Sequence, residues 1–168
     1  DENVAIGFEA LATEDAHGNN TAVGYRALKD LNAGATGNNT AVGYNSGANI
    51  TTGTSNTVVG ANAGDALTEG ADNVAIGSFA LSAEDTTGRN IAIGRNSLLV
   101  ANSTSGNANN VAIGYNTGAT ITTGTKNIFI GSFAGDATTT SSDNTVVGYN
   151  ALTAGDSSGT NTAIGSTT

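Results

Sequence analysis

A five-residue motif occurs ten times along the 168 residues of this chain. Each copy reads Asn, a β-branched residue, an apolar residue, Ile or Val, and Gly, and most copies lie 17 residues apart. Two longer intervals, of 19 and 20 residues, interrupt the series. A fixed short period of this kind marks a repeat architecture, in which each repeat packs mainly on its neighbours.

The length of the repeat and the composition favour a β-solenoid. So short a repeat cannot hold a helical hairpin, which needs about twice as many residues. The chain has 24 Gly and no Pro, and it is rich in Thr, Asn, Ala, Val and Ile, which are typical of strands and tight turns. We predict an all-β fold, a parallel β-solenoid of ten coils forming a single array over residues 1–168, about 48 Å long.

The three residues between Asn and Gly are predicted to form a strand, whose side chains alternate between two faces. Its first and last residues share a face, and both are β-branched in every copy. We expect this bulky face to line the coil interior. The last residues, the predicted core column, are Ile6, Val23, Val42, Val59, Ile76, Ile93, Ile113, Ile130, Val147 and Ile164.

The middle residue of the strand is apolar too, and it is mostly Ala. A strand that is apolar on both faces is usually buried on both, so we expect a second copy of the chain to cover this side. We therefore predict a homo-oligomer, and specifically a trimer. The alternative is that this Ala-rich face is exposed to water. The predicted oligomer face is Ala5, Ala22, Ala41, Val58, Ala75, Ala92, Ala112, Phe129, Val146 and Ala163.

The Asn and Gly of the motif are predicted to be structural. In a parallel stack, equivalent Asn amides lie about 4.8 Å apart and can bond in a ladder; alternatively, each Asn shapes only its own turn. Gly fits a corner with positive φ or no room for a Cβ atom. The Asn ladder is Asn3, Asn20, Asn39, Asn56, Asn73, Asn90, Asn110, Asn127, Asn144 and Asn161, and the Gly corner is Gly7, Gly24, Gly43, Gly60, Gly77, Gly94, Gly114, Gly131, Gly148 and Gly165.

A longer period lies in the return half of the coils. Four residues after the closing Gly, pairs of Leu alternate with pairs of Gly, and the segment that starts at Tyr44 matches the one that starts at Tyr115, four coils later. The unit of duplication was therefore about four coils. The two longer coils carry their extra residues in this half, where any recognition by the chain is expected.

The repeats resemble those of known fibrous proteins. The strings NVAIG at Asn3, NTAVGYRAL at Asn20 and NTVVGYNAL at Asn144 are similar to the head repeats of trimeric autotransporter adhesins and to repeats of phage tail fibres and secreted bacterial fibres. The resemblance covers the whole chain and implies a left-handed parallel β-roll, usually trimeric, that serves as a stalk or adhesive head. Adhesin head coils are shorter, so the return segment departs from that pattern.

Composition and charge argue against several other classes of function. A net charge of −9 disfavours nucleic acid and anionic membranes as partners, and the chain lacks the long apolar run that membrane insertion requires. The carboxylate pairs Glu14–Asp15 and Glu84–Asp85 are adjacent in sequence, so their side chains point apart, and His17 is the only His. We therefore expect that the chain is not an enzyme and binds no cofactor. Cleavage of a polysaccharide by a fibre of this kind is the less favoured alternative.

We consider three kinds of binding site: for calcium, for a sugar and for ice. Asp65 and Asp136 recur in equivalent coils, but one carboxylate in four coils is too few to bind calcium. Aromatic residues after the closing Gly, such as Tyr25 and Tyr44, either stack on a sugar ring, as on a surface glycan or receptor, or cover the coil corner. Ice binding is the main alternative function, although Thr begins only five of the ten strands.

The sequence thus predicts a structural fibre segment located outside the cell, on a virion or on a cell surface. Tail fibre, adhesin and surface filament all fit a long regular rod without a catalytic site. Because bare strand edges of a solenoid are prone to pair, we expect either that the array continues in a longer protein or that copies stack end to end into a filament.

Overall fold

A computed structural model describes residues 2–13, 18–34, 36–83, 86–103, 106–153 and 159–167 of the chain. These residues form ten short strands and no helix. Each strand coincides with the three central residues of one motif. The strands are β1 (Val4–Ile6), β2 (Thr21–Val23), β3 (Thr40–Val42), β4 (Thr57–Val59), β5 (Val74–Ile76), β6 (Ile91–Ile93), β7 (Val111–Ile113), β8 (Ile128–Ile130), β9 (Thr145–Val147) and β10 (Thr162–Ile164).

The strands form one parallel sheet in the order of the sequence, from β1 to β10. Equivalent residues pair without a shift, so that Val23 of β2 lies beside Val42 of β3. The longer coils keep this register: Ile93 of β6 still pairs with Ile113 of β7. The predicted parallel β-solenoid is confirmed, with ten stacked strands in about nine turns, and each strand position forms a column along the stack.

The face of the strand that points into the coil is the opposite of the one that we predicted. The middle residues of β2 to β9 are fully buried, whereas their first and last residues are half-buried or exposed. The predicted core column, from Ile6 to Ile164, therefore faces outward. The predicted oligomer face, from Ala5 to Ala163, faces the coil interior, so both assignments were wrong.

The reversal has two physical causes. The motif Asn is buried in the coil, and strand alternation then places the middle residue, two positions later, on the same inward side. The opposite wall of the coil also supplies bulky side chains, such as the fully buried Leu28 and Leu31. Most strands therefore contribute only Ala to the interior, and Val58, Phe129 and Val146 are the exceptions among β2 to β9.

The Leu and Gly alternation adjusts the volume of this core. Phe129 is the one aromatic middle residue, and it is fully buried. A Cβ atom at Gly118 or at Gly135 would lie only 2.7 Å from its ring. Gly at these two positions therefore makes room for Phe129, whereas the equivalent position in the coil of Ala22 is filled by Leu28.

Candidate functional site

The largest unpartnered surface of the described chain is the outward strand face, which we define as the first and last residues of β1 to β10. It is a double column of β-branched side chains, with Ile113 and Ile130 still 37% and 39% exposed. Contiguous exposed apolar residues of this kind mark an interaction surface more often than an ordinary solvated face. Its first column is Val4, Thr21, Thr40, Thr57, Val74, Ile91, Val111, Ile128, Thr145 and Thr162, and its second column is the predicted core column named above.

The Asn ladder lies at the start of each strand and holds the coils in register. From Asn20 to Asn161, the backbone N–H of every motif Asn donates to the Oδ1 atom of the preceding one, at 2.9–3.0 Å. Several side-chain amides also donate to the return turn, as from Asn56 to the Gly70 carbonyl at 2.8 Å. The predicted ladder is confirmed, and it fixes the edge of the outward strand face.

The Gly corner bounds the other end of each strand. All ten closing Gly have φ between 124° and 143°, a conformation that disfavours any residue with a Cβ atom. From Gly7 to Gly148, such an atom would also collide with the next coil, usually with its closing Gly. The predicted Gly corner is confirmed.

Aromatic side chains follow this corner in two groups. The rings of Phe8, Tyr25 and Tyr44 stack in sequence, with centroids 5.4 and 5.2 Å apart. Arg26 lies 5.0 Å from the Tyr25 ring centroid and bonds to Glu9 at 2.7 Å, and this hydrogen bond raises the pKa of Arg26. The rings cover one another's faces, while Phe8 and Tyr44 remain 62% and 53% exposed. The second group, Tyr115, Phe133 and Tyr149, makes edge-on contacts.

Five of the other candidate residues lie outside the described part of the chain: Glu14, Asp15, His17, Glu84 and Asp85. Within the described ranges, no group of three acidic, His or Cys side chains could hold a metal ion, and no cavity is present. No helix that is long and apolar enough to cross a membrane occurs in that part of the chain.

Asp65 and Asp136 occupy the same place in the corner turns of two coils, four repeats apart. Burial raises the pKa of both carboxyl groups above its ordinary value. The Oδ1 atom of Asp65 is buried and has no hydrogen-bond partner among the described residues. At neutral pH each carboxylate therefore opposes folding.

Asp65→Asn is expected to raise the melting temperature at neutral pH. Because the pKa of Asp65 is higher in the folded state than in the unfolded chain, the folded state binds more protons, and stability falls as the pH rises through these pKa values. The gain should disappear at about pH 3, where the wild-type carboxyl is protonated. Thermal unfolding across this range measures the effect, with the exposed Asp143→Asn as control. A gain that did not change with pH would contradict the assignment.

Comparisons with known proteins give no further guide. No protein-family model, no curated protein and no solved structure matches this chain. Its function is therefore inferred from the outward strand face and the chemistry of that face.

Proposed function

We propose that the chain is a structural segment of an extracellular fibre and that its copies associate through the outward strand face. The observation that carries this proposal is the double column of Ile, Val and Thr on a sheet whose strands pair in register. The location on a virion or cell surface follows from the resemblance to fibre repeats and is part of the proposal.

Burial of this face would supply the free energy of association. Each Å² of apolar surface removed from water contributes roughly 25 cal/mol. The β-branched side chains have few rotamers, and the ladder behind them already orders the backbone, so little conformational entropy is lost on binding. A pre-ordered apolar sheet is well suited to a partner of the same shape, such as a second copy.

Measurement of the mass in solution tests this proposal. We expect the wild-type chain to sediment as an oligomer at micromolar concentration, and Ile93→Asp combined with Ile113→Asp to give a folded monomer, because each charge would be buried in the interface. Val100→Asp is a matched control, since Val100 is also exposed, at 38%, but lies outside the outward strand face. A wild-type chain that stays monomeric would refute the proposal.

Ice binding is the second candidate, and one observation favours it. Thr21, Thr40 and Thr57 begin three successive strands and lie on the outward side, where a regular Thr array could order water. Four aliphatic residues, from Val74 to Ile128, interrupt this array, which fits a protein partner better. Thermal hysteresis by the wild-type chain, but not by the double variant, would support ice binding.

A further inference from the structure

The outward strand face carries a symmetric pattern along the stack. From β3 to β10, its first column reads Thr, Thr, Val, Ile, Val, Ile, Thr, Thr, so that two Thr flank four aliphatic residues on either side. The second column is Ile or Val throughout. The sequence of side-chain types is therefore the same when read from either end, with its centre between β6 and β7.

We infer that two copies pair face to face and antiparallel, about a two-fold axis that runs along the strand direction between β6 and β7. The inference rests on the proposed function. In this arrangement β6 faces β7 of the other copy, β5 faces β8, β4 faces β9 and β3 faces β10. Thr57 then meets Thr145, where a water molecule can bridge the two hydroxyls, and Ile91 meets Val111.

The charges of the polar rim beside this face are complementary between the two copies in the same register. The rim consists of the exposed residues that precede each motif Asn. The pairing places Asp72 of one copy, which also lies 3.8 Å from Arg89 of its own chain, opposite Lys126 of the other. Arg89 then lies opposite Asn109. Opposite charges at a rim favour association and fix its register, and the symmetry supplies the Asp72 and Lys126 pair twice.

A second rim consists of the residues that directly follow each closing Gly. Across the proposed interface, the sizes of its side chains are complementary. Tyr149 of one copy would lie opposite Ala61 of the other, and Arg95 opposite Tyr115. Within one copy, Arg95 already lies 6.0 Å from the Tyr115 ring centroid, so the same type of contact recurs across the interface. Large side chains therefore meet small or cationic partners on this side.

Other antiparallel registers are less favourable. A shift of one coil in either direction brings Arg89 against its own counterpart or against Lys126. A shift of two coils brings Thr57 against Val111, or Thr145 against Ile91, and leaves a buried hydroxyl without a partner, which weakens the interface. The register centred between β6 and β7 avoids both penalties.

Parallel arrangements are disfavoured by charge as well. When copies run in the same direction, about a two-fold or a three-fold axis along the stack, the rim before Asn meets the rim after Gly at the same height. Arg89 of one copy would then face Arg95 of its neighbour, since the two residues flank the same strand, β6. Opposed like charges destabilise an interface, so the trimer expected from the sequence is the less favourable assembly.

The area available is sufficient for a stable dimer. Eight coils extend about 38 Å along the stack, and the face with its two rims is about 20 Å wide. About 1,500 Å² would be buried in total from the two copies, which is the usual size of a specific protein interface.

Chemical cross-linking tests the orientation, because the natural chain has no Cys. Thr57→Cys and Thr145→Cys are made as separate variants, mixed, and treated with a short bis-maleimide. In the antiparallel pair, the two different thiols face each other across sheets about 10 Å apart, whereas like thiols are about 24 Å apart along the stack. We expect at least tenfold more cross-linked dimer from the mixture than from either variant alone.

The outcomes separate the two proposals. A monomeric wild-type chain would refute the proposed function and this inference together. An associated chain in which Thr57→Cys links to itself, in which the mixture gives no product, or which has the mass of a trimer would overturn the antiparallel pair alone.

Charge reversal gives a second test of the register. Lys126→Glu places two like charges opposite each other twice in the dimer and is expected to weaken dimerisation about tenfold. Adding Asp72→Lys to the same chain, with Arg89→Gln so that the new Lys does not meet its neighbour Arg89, should restore the affinity to within about threefold. Equal affinity of wild type and Lys126→Glu, or failure of the triple variant to recover relative to Arg89→Gln alone, would overturn the register.

Discussion

Ala92→Asp is expected to unfold the solenoid, whereas Ile93→Asp, one residue later in the same strand, leaves it folded. Ala92 is fully buried inside the coil, and Ile93 lies on the outward strand face. A carboxylate at Ala92 would be buried without a partner, which costs about 3–5 kcal/mol or more. That is a large fraction of the total stability of about 5–15 kcal/mol typical of a domain.

Circular dichroism and urea unfolding of the two variants measure this difference. Ile93→Asp serves as the matched control, because it introduces the same charge in the same strand. Its expected defect is in association, which sedimentation detects. If Ile93→Asp unfolded the chain and Ala92→Asp did not, the inward and outward faces would be as the sequence first suggested.

Gly77→Ala is expected to destabilise the chain far more than Gly34→Ala. At Gly77, φ is 126°, and an added Cβ atom would lie 2.6 Å from the carbonyl carbon of Gly94 in the next coil. Neither backbone can move without breaking the register of the stack, so we expect a loss of about 3 kcal/mol or more in the free energy of unfolding.

Gly34 provides the comparison because it shares the positive φ but not the crowding. Its φ is 63°, and a Cβ atom there would meet nothing within 4 Å. Gly34→Ala should therefore cost only about 1–2 kcal/mol, as is usual for a left-handed backbone that carries a side chain. Equal losses for the two variants, measured by urea unfolding, would show that contact between coils is not what requires Gly at the corner.

The repeat itself predicted the fold because its period allows few alternatives. The spacing of the motif fixed one strand in each coil, and the parallel register followed from stacking identical units. The Asn ladder and the Gly corner were predictable for the same reason, since each depends on what a neighbouring identical coil presents. These features need only local geometry and repetition.

Which face of the strand points into the coil was predicted wrongly, although the sequence contains the information needed to decide it. Hydrophobic size suggested that Ile93 points inward and Ala92 outward. The Asn at the start of the strand gives the correct answer, because a buried amide ladder places Asn90 and Ala92 on one side of the strand. Size was misleading because the space inside the coil is filled from the opposite wall by residues such as Leu98, whose burial depends on the three-dimensional turn.

The in-register stack also has a kinetic consequence. Each strand pairs with the next one along the chain, only one short coil away, although parallel sheets usually join segments far apart in sequence. Closing so short a loop costs little entropy, and folding rate depends on the sequence separation of contacts more than on chain length. Coils can therefore form one after another as the ribosome releases them, and an array lengthened by duplication of four coils would need no slower route to its native state.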